Sequence, residues 1–266
     1  MKKKHPLVSV LINNYNKGNY CVKAVNSILQ QSYKNIEIIF YDDFSEDNSL
    51  DKIKKLRSNK IKIIENKLRG KIFSFNQLNA IFKSLKKSKG KIVCILDSDD
   101  FFAKNKIKEI VNFFSNNKDC DILFDRPIIY YKNSNQKSHI RYKIRKNKWP
   151  VFPPTSCISI RSESLRRNEK KIFIKKFNEL WFDFRIASYY SLKKNKFNIL
   201  KNYLTFYRNY STSYDKKYKK FFNSLWWKRR YQAFEFINYI DKDYYYKNRF
   251  SFDYLATKIM NKFIFF

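Results

Sequence analysis

Short apolar runs alternate with amphipathic segments along the first half of the chain, and this order constrains the fold more than any other feature. Each run is a few residues long and is bounded by polar residues, which is typical of a buried β-strand. The segments between the runs place apolar residues at helical spacing. The predicted strands are Leu7–Ile12, Ile36–Tyr41, Ile61–Ile64, Lys91–Leu96 and Asp121–Phe124. We predict a helix after each of the first four.

This β-α alternation predicts an α/β fold with a mostly parallel sheet and helices on both of its faces. In such sheets, ligands bind beyond the carboxyl ends of the strands. Polar side chains from distant parts of the sequence follow three of the predicted strands: Asn13 and Asn14, Asp42 and Asp43, and Asp97, Asp99 and Asp100. Their convergence at one edge predicts a binding site there.

The segment Ile92–Asp100 places five apolar residues directly before three carboxylates. In an extended chain, residues i and i+2 point the same way, so Asp97 and Asp99 converge. Converging carboxylates repel each other, and a divalent cation between them offsets that repulsion best. Oxygen ligands suit Mg²⁺ or Mn²⁺. The alternative is an acidic turn that caps a helix beginning near Lys104, because Asp is a good capping residue.

The scarcity of glycine and histidine excludes several kinds of site. Gly18, Gly70 and Gly90 cannot form a glycine-rich phosphate-binding loop, so a metal or side chains must neutralise any bound phosphate. With only His5 and His139, a multi-histidine zinc site is excluded and a Ser-His-Asp triad is disfavoured.

The cysteines and the apolar runs indicate a cytoplasmic chain. The cysteines form no Cys-x-x-Cys pair and lie in or near apolar runs, as reduced core residues do: Cys21, Cys94, Cys120 and Cys157. No apolar run approaches the roughly 18 residues of a membrane helix. The basic start Met1–Lys4 precedes a stretch that we interpret as the first strand, not as a signal peptide.

The net charge of +34 at pH 7 allows two interpretations. It would attract any polyanion, including nucleic acid or an anionic membrane face. The abundance of Lys, Asn, Ile, Phe and Tyr also fits A/T-rich codon usage, which would set much of the charge without a function. No helix-turn-helix, zinc-finger or RNA-binding signature is visible, so we expect no nucleic-acid partner.

The pattern changes after about residue 126. We predict one α/β domain over residues 1–210, divided into halves at 1–126 and 127–210, and a basic, aromatic helical extension over 211–266. The predicted elements of the later part are a hairpin over Ile128–Tyr142, a strand at Cys157–Ile160, and helices at Glu179–Leu192 and Tyr214–Ile240.

Several ordered motifs resemble those of family 2 glycosyltransferases, which have the GT-A fold. The motifs are Val8–Asn16, Ser27–Tyr33, Ile39–Asp47, Ser88–Lys91 and Leu96–Asp100. The resemblance covers about residues 6–125 well and continues more weakly to Tyr207 and Arg208. It implies an inverting transfer of a sugar from a nucleotide diphosphate, with a UDP-sugar favoured, to an acceptor hydroxyl.

The resemblance also implies roles for the strand-end residues in donor binding. Asn13 and Tyr15 would flank the nucleoside, Asp43 would accept the N–H of a uracil-like base, and Asp42 would lie beside it. An alternative for Asp42 and Asp43 is that they cap the following helix, although Ser45 or Asp47 could do so alone.

For the diphosphate and sugar, the resemblance implies a second group of residues. Asp97 would lie near the ribose and the sugar. Asp99, helped by Asp100, would hold Mg²⁺ or Mn²⁺ against the diphosphate, where the metal assists the leaving group. Arg208 would contact phosphate.

In inverting members of the family an Asp or Glu of the second half takes the acceptor proton, and two residues are candidates. Glu179 and Asp183 are spaced i and i+4, so they would share a helix face. Apolar neighbours of Asp183 would raise its pKa. The family often has an acidic pair followed by Arg, which Leu180 interrupts here. The alternative is a surface contact between Asp183 and Arg185.

The predicted acceptor is a glycan or lipid-linked sugar of cell-surface polysaccharide, lipopolysaccharide or lipid-linked glycan synthesis. A basic cluster beginning at Trp226 and Trp227 is interpreted as a packed helix with a basic rim, or as a docking face for an anionic membrane. The latter would place the enzyme peripherally on the inner face of the cytoplasmic membrane. The alternative function is a non-enzymatic nucleic-acid-binding protein.

Overall fold

The structure is a computed structural model that describes residues 5–130, 135–138, 151–192, 197–208, 223–243 and 249–263. Its strands are β1 (Val8–Asn14), β2 (Ile36–Asp42), β3 (Ile61–Glu65), β4 (Ile92–Asp97), β5 (Phe101–Phe102), β6 (Ile122–Tyr130), β7 (Asn135–Lys137), β8 (Ile158–Arg161) and β9 (Phe197–Arg208). Its helices are α1 (Gly18–Leu29), α2 (Ser49–Lys55), α3 (Phe73–Lys87), α4 (Lys106–Asn116), α5 (Ser162–Arg167), α6 (Glu169–Ile172), α7 (Phe182–Ser191), α8 (Ser224–Ile240) and α9 (Phe252–Phe263).

The strands form one sheet in the order β3-β2-β1-β4-β8-β6-β9-β5, with β7 paired to β6. Strands β3, β2, β1 and β4 are mutually parallel, which confirms the predicted α/β class. The fifth predicted strand, now β6, does not pair with β4. Instead β8 lies antiparallel between them, because its backbone pairs with β4 on one side and β6 on the other.

The alternation of side chains along the strands explains why both faces of the sheet are covered. Val8, Val10 and Ile12 of β1 point into a core that contains Val25 and Ile28 of α1. Leu11 points the other way, into a core shared with α3, β8 and α7. A strand buried on both faces needs a continuous apolar run, which is what the sequence has.

The helix predicted over Glu179–Leu192 begins later, at Phe182. The physical reason is Arg185, whose fully buried guanidinium takes backbone carbonyl groups of the preceding loop as acceptors: Ile172, Ile174, Phe177 and Leu180. Those carbonyl groups hold the loop in a non-helical path. Glu179 therefore lies before α7 and does not share a helix face with Asp183, so that prediction was wrong.

The extension packs onto the α/β core through α8. Ala233, Phe236 and Ile237 of α8 contact Phe177 and Leu180 before α7. The predicted hairpin at Ile128–Tyr142 is present in its described part as the β6–β7 pair. Of the helix predicted at Tyr214–Ile240, residues 214–222 lie outside the described residues. Among the residues that the structure describes, no helix is long and apolar enough to cross a membrane.

A buried ion pair joins helix α4 to strand β6. The Nζ atom of Lys106, at the start of α4, lies 2.7 Å from Oδ2 of Asp125 on β6, and both side chains are fully buried. Lys106 also donates to Oγ1 of Thr205 at 2.6 Å and to the carbonyl oxygen of Ser156 at 2.8 Å. The pair therefore fixes the turn at Ser156 relative to β6 and β9.

Replacing Lys106 by Met should leave the Asp125 carboxylate buried without its cation. Breaking one partner of a buried pair typically costs about 3–5 kcal/mol, and we expect that loss in the free energy of unfolding measured by urea denaturation. The double variant Lys106→Met/Asp125→Leu should recover much of the loss, because no unpaired charge remains. A single variant as stable as wild type would show that the pair does not support the fold.

Candidate active site

The carboxyl ends of β1, β2 and β4 open into a cavity of about 580 Å³. Of the predicted site residues, seven line this cavity: Asn13, Tyr15, Asp43, Asp97, Asp99, Asp183 and Arg208. Three do not line it: Asp42, Asp100 and Glu179. The sheet edge thus gathers most of the predicted site residues, including two from the second half of the chain, Asp183 and Arg208.

One corner of the cavity combines a carboxylate, a guanidinium and two aromatic rings. Nε of Arg69 lies 2.9 Å from Oδ2 of Asp43, and Asn66 donates to Oδ1 at 2.8 Å. The Arg69 guanidinium lies over the rings of Tyr15 and Phe73, 3.6 and 4.5 Å from their centroids. Burial raises the pKa of Asp43 and outweighs the opposing effects of Asn66 and Arg69. This corner thus brings aromatic rings close to a carboxylate and to hydrogen-bonding groups.

Asp42 organises the loop beneath that corner. Its Oδ1 accepts hydrogen bonds from Asn14 at 2.8 Å and from the Ser45 hydroxyl at 2.7 Å, and its Oδ2 accepts from the Ser45 backbone at 2.9 Å. The side chain is 2% exposed. Because these contacts use both oxygens, Asp42 acts here on the β2–α2 loop.

Two residues of the adjoining loops have left-handed backbone conformations. Asn16, after β1, has φ of 51°, and Phe44, after β2, has φ of 64°. Such conformations are uncommon for residues other than glycine, and for a bulky residue like Phe they are strained. The loops are tied together, since the Asn16 side chain accepts from Glu46 and the Asn16 backbone donates to Ser45. The fixed loops shape the rim of the cavity.

Asp97, the last residue of β4, has an unusual electrostatic environment. Burial and then the neighbouring Asp99 raise its pKa to about 7, against hydrogen bonds from Asn13 and Gln77. Gln77 of α3 donates to Oδ1 of Asp97 at 3.1 Å. The charge of Asp183 raises the pKa of Asp97 further, so the two carboxyl groups interact electrostatically across the cavity. A cation brought between Asp97 and Asp99 would favour the ionised form of Asp97.

Asp99 faces a cation within this structure. Its Oδ2 lies 2.6 Å from Nζ of Lys17, at the entrance to α1. Burial alone would lower the pKa of Lys17, but Asp99, Asp97 and Asp100 raise it overall. The guanidinium of Arg208 donates to the backbone oxygen of Asp99 at 2.8 Å. Both cationic groups therefore border the same side of the cavity.

Asp100 is fastened from two elements and is 1% exposed. Its Oδ2 accepts from the Ser156 hydroxyl at 2.5 Å, and its Oδ1 accepts from the backbone N–H of Arg208 at 2.7 Å. Burial, Asp99 and Asp97 raise its pKa well above the usual range. These contacts make Asp100 a positioning residue in this conformation, because it holds β4 to β9.

The oxygen donors at the end of β4 suit a divalent metal, although the protein supplies few of them. No group of three or more His, Cys, Asp or Glu side chains in the described ranges could by itself hold a metal ion. Asp97 and Asp99 fit the chemistry of Mg²⁺ or Mn²⁺, since both are carboxylates and Asp99 already attracts an ammonium group. A metal here would need further oxygen ligands from a bound molecule, such as a diphosphate.

Asp183 lies across the cavity, in the first turn of α7. Its Oδ2 accepts from the hydroxyl of Thr155 at 3.2 Å. Gln77 links this side to β4, because the Phe182 backbone donates to its Oε1 at 3.4 Å. Arg185 is buried on the loop carbonyl groups, so the alternative of a surface contact between Asp183 and Arg185 is excluded.

Glu179, the second candidate base, contacts α8. Its carboxylate is nearly buried and lies 3.1 Å from Nζ of Lys228. The backbone N–H of Glu179 donates to the side chain of Gln232 at 2.9 Å. These contacts orient Glu179 toward the extension and away from the lining of the cavity.

Several lining residues were missed by the sequence analysis, among them Lys17, Arg69, Gln77, Trp181 and Arg229. Each lies in a loop or on a helix, where one more basic or polar residue gives no signal in a chain with 57 Lys and Arg. Gln77 gave a weak signal in the sequence, because it adjoins the apolar residues of α3. In the structure its side chain is buried.

Comparison with known proteins identifies the family. A model described as glycosyl transferase family 2 matches residues 9–197. An uncharacterised glycosyltransferase of Nostoc sp. is 34% identical over 175 residues, 60% of this chain and 52% of that protein. WfaP of Escherichia coli, named as a UDP-Glc:alpha-D-GlcNAc-diphosphoundecaprenol beta-1,3-glucosyltransferase, is 37% identical over 112 residues, 42% of this chain and 43% of WfaP. The chain thus spans about half the length of these relatives or less.

Solved structures with the same fold are more distant in sequence. S. aureus TarS in complex with UDP has a TM-score of 0.69 and 16% identity, covering 94% of this chain and 70% of that chain. The Pyrobaculum calidifontis mannosyltransferase PcManGT, in complex with GDP-Man and Mn²⁺, has a TM-score of 0.57 and 14% identity, covering 97% of this chain and 74% of that chain. At these identities the likeness shows the GT-A fold alone.

Proposed function

The chain belongs to glycosyl transferase family 2, and from that premise we propose that it transfers a sugar from a UDP-sugar to an acceptor hydroxyl with inversion. The observation that supports this most is the cavity itself. An aromatic corner, a pair of strand-end carboxylates and a separate carboxylate, Asp183, line one space of about 580 Å³. Those are the parts that a nucleoside, a metal-bound diphosphate and an acceptor hydroxyl each require.

The corner at Asp43 supports a uracil nucleotide. A carboxylate has more acceptor sites than Asn66 and Arg69 occupy, so Asp43 retains the capacity to accept the N–H of uracil. Tyr15 would stack on the base, with Asn13 beside it. The TarS complexes with UDP and UDP-GlcNAc and the donor in the name of WfaP support the same choice of nucleotide.

The diphosphate would lie beside Asp99. When bound there, Mg²⁺ or Mn²⁺ would supply Lewis-acid stabilisation of the leaving diphosphate. Asp99 would hold the metal, with Asp97 next to it, while Asp100 keeps the end of β4 in place through Ser156. Lys17 and Arg208 are positioned to neutralise phosphate oxygens, because both border Asp99. The complex of PcManGT with Mn²⁺ supports a divalent metal in this fold.

For the transfer step we favour Asp183 as the general base. It lines the cavity, whereas Glu179 pairs with Lys228 outside it. The hydroxyl of Thr155 donates to its Oδ2. Oδ1 also accepts from the backbone of Phe184 at 2.6 Å, so the carboxylate is held in one orientation. In that orientation it would take the acceptor proton as the sugar is transferred.

The alternative of a nucleic-acid-binding protein has little support. Four carboxylates line the cavity, and they would repel a phosphate backbone without a metal: Asp43, Asp97, Asp99 and Asp183. The acceptor that we propose is a lipid-linked or polysaccharide sugar of the cell surface, in line with the name of WfaP.

The donor and metal assignment predicts the behaviour of Asp99→Asn. This variant should lose transfer and at least tenfold of the Mn²⁺-dependent affinity for UDP, about 1.4 kcal/mol, measured by isothermal titration calorimetry. The melting temperature should stay near that of wild type, since the side chain is not part of the core. Asp51→Asn, on the exposed side of α2, serves as control. Full activity of Asp99→Asn, or of wild type in EDTA, would contradict the assignment.

The base assignment predicts different results for Asp183→Asn and Glu179→Gln. Removing a general base typically slows turnover by about 10²–10⁴, so Asp183→Asn should show that loss in a transfer assay while its affinity for UDP is kept. Glu179→Gln should keep most of its turnover. If the losses are reversed, Glu179 is the base; if neither variant slows transfer, the base lies elsewhere.

We further propose that α9 holds the enzyme on an anionic membrane surface, at the cytoplasmic face. The tryptophans first considered do not form that face, because Trp227 is 4% exposed and Trp226 packs against Trp227 and Arg230. An apolar stripe of α9 is exposed instead, by 88%, 40%, 53% and 72% at Phe252, Leu255, Ile259 and Phe263. Exposed Lys258 and Lys262 adjoin it, and each would add about 1 kcal/mol of attraction near anionic lipid.

This membrane proposal predicts that Phe252→Ser/Ile259→Ser lowers binding to anionic vesicles. Wild type should co-sediment with phosphatidylglycerol vesicles and much less with phosphatidylcholine vesicles, because both the apolar stripe and the charges contribute. Leu192→Ser, which removes a partly exposed leucine from the end of α7, should bind as wild type does. Equal binding to the two vesicle types, or no loss in the double variant, would exclude α9 as the docking face.

A further inference from the structure

The three carboxylates at the end of β4 lie on one tight turn. The backbone N–H of Asp100 donates to the carbonyl oxygen of Asp97 at 2.9 Å, which closes a four-residue turn with Asp99 at its third position. The N–H of Ser98 donates to the carbonyl oxygen of Asn13 at 3.2 Å and ties the turn to the end of β1. The direction of the Asp99 carboxylate therefore depends on the geometry of this turn.

A buried hydroxyl group binds both ends of the turn. Oγ of Ser156 accepts from the backbone N–H of Asp97 at 3.0 Å and donates to Oδ2 of Asp100 at 2.5 Å. A serine hydroxyl has one hydrogen and two lone pairs, so it can make both bonds at once. Ser156 is fully buried and is not among the described residues that line the cavity. Its hydroxyl therefore acts on the turn and not on a molecule in the cavity.

Ser156 is itself held from the interior of the protein. Its carbonyl oxygen accepts from Nζ of Lys106 at 2.8 Å, and Oγ1 of Thr205 lies 3.3 Å from the same oxygen. Lys106 pairs in turn with the buried carboxylate of Asp125. None of these three residues belongs to the described lining of the cavity. The position of the Ser156 hydroxyl is thus set by the interior of the protein and does not require a ligand.

Repulsion among the carboxyl groups explains why such an anchor matters. Burial and the charges of Asp99 and Asp97 raise the pKa of Asp100. The hydrogen bonds from Ser156 and from the backbone of Arg208 oppose this rise. Without the hydroxyl, one of these two bonds would be lost and the repulsion would act on a less restrained turn. Removing groups that orient metal ligands typically lowers metal affinity by about 10–100-fold.

We infer that Ser156 is a positioning residue, which holds the turn Asp97–Asp100 in the geometry that lets Asp99 bind a divalent metal together with a nucleoside diphosphate. This inference rests on the proposed function and adds to it a residue that acts on the metal without contacting the nucleotide. The corner at Tyr15 and Asp43, where the nucleoside would lie, is held by contacts that do not include Ser156. Loss of the hydroxyl should therefore weaken the contribution of the metal to binding and leave that of the nucleoside.

The test measures the affinity for UDP by isothermal titration calorimetry, once with Mn²⁺ and once with EDTA, and the ratio of the two affinities is the metal-dependent gain. Ser156→Ala should lose about tenfold of the wild-type gain, because the turn no longer holds Asp99 in place. Its affinity for UDP in EDTA should equal that of wild type, whereas a general loss of structure would lower both affinities. Ser156→Cys fills the same space with a weaker donor and should lose an intermediate part of the gain.

Ser159→Ala is the control, because it removes a similarly buried hydroxyl from the same segment of the chain. That hydroxyl donates to Sγ of Cys94 at 3.3 Å, three residues before the turn begins. The control should keep the full metal-dependent gain. A full gain in Ser156→Ala and Ser156→Cys, or an equal loss in Ser159→Ala, would overturn the inference. Wild type that binds UDP with no gain from Mn²⁺, or that does not bind UDP, would instead contradict the proposed function, so the two kinds of failure are distinguishable.

Discussion

Crowding of negative charge at the end of β4 is the constraint on which the rest of the site depends. Asp97, Asp99 and Asp100 lie within four residues. The charge of Asp99 raises the pKa of Asp97 and of Asp100, and the charge of Asp97 also raises the pKa of Asp100. A folded chain tolerates that repulsion only if partners come to each carboxyl group. Here the partners come from different elements of the chain, so compensating these three carboxyl groups brings together segments of both halves of the domain.

Some of these partners contact the proposed donor side of the cavity, and others connect it to the acceptor side. Lys17, from the loop before α1, compensates Asp99, whereas Gln77 of α3 joins Asp97 to the start of α7. Ser156 and Arg208 fasten Asp100, and the buried Lys106 holds the carbonyl group of Ser156. A nucleotide that displaces Lys17 from Asp99 would therefore change the charge near Asp97, which Gln77 connects to the start of α7.

Much of this arrangement could be predicted from local patterns, because the strands and helices of the first half have strong periodicity. The strand-end positions of Asp43, Asp97 and Asp99 followed from the parallel order alone. The insertion of β8 between β4 and β6 could not, since it depends on backbone pairing between residues more than sixty positions apart, Cys94 with Ser159. The start of α7 was also hidden, because it depends on where the buried Arg185 finds its acceptors.

The contribution of the extension is the part that sequence patterns obscured most. A basic, aromatic helix in a chain of net charge +34 suggests a surface feature, yet α8 buries Trp227 and Phe236 and brings Arg229 into the cavity. Its basic residues have separate partners, with Lys228 on Glu179 and Arg230 on Asp253. The boundary near residue 210 marks a change in sequence pattern. We propose that it does not divide the protein functionally, and that the α/β domain and the extension form one functional unit.

A crystal structure of the chain with UDP and Mn²⁺ would decide whether this edge of the sheet binds a nucleoside diphosphate. We expect uracil beside Tyr15 and Asp43, the diphosphate and the metal beside Asp99, and Lys17 moved from the Asp99 carboxylate to a phosphate oxygen. UDP bound elsewhere on the protein, or bound in the cavity with Lys17 still paired to Asp99 and no metal near that carboxylate, would contradict the proposed arrangement.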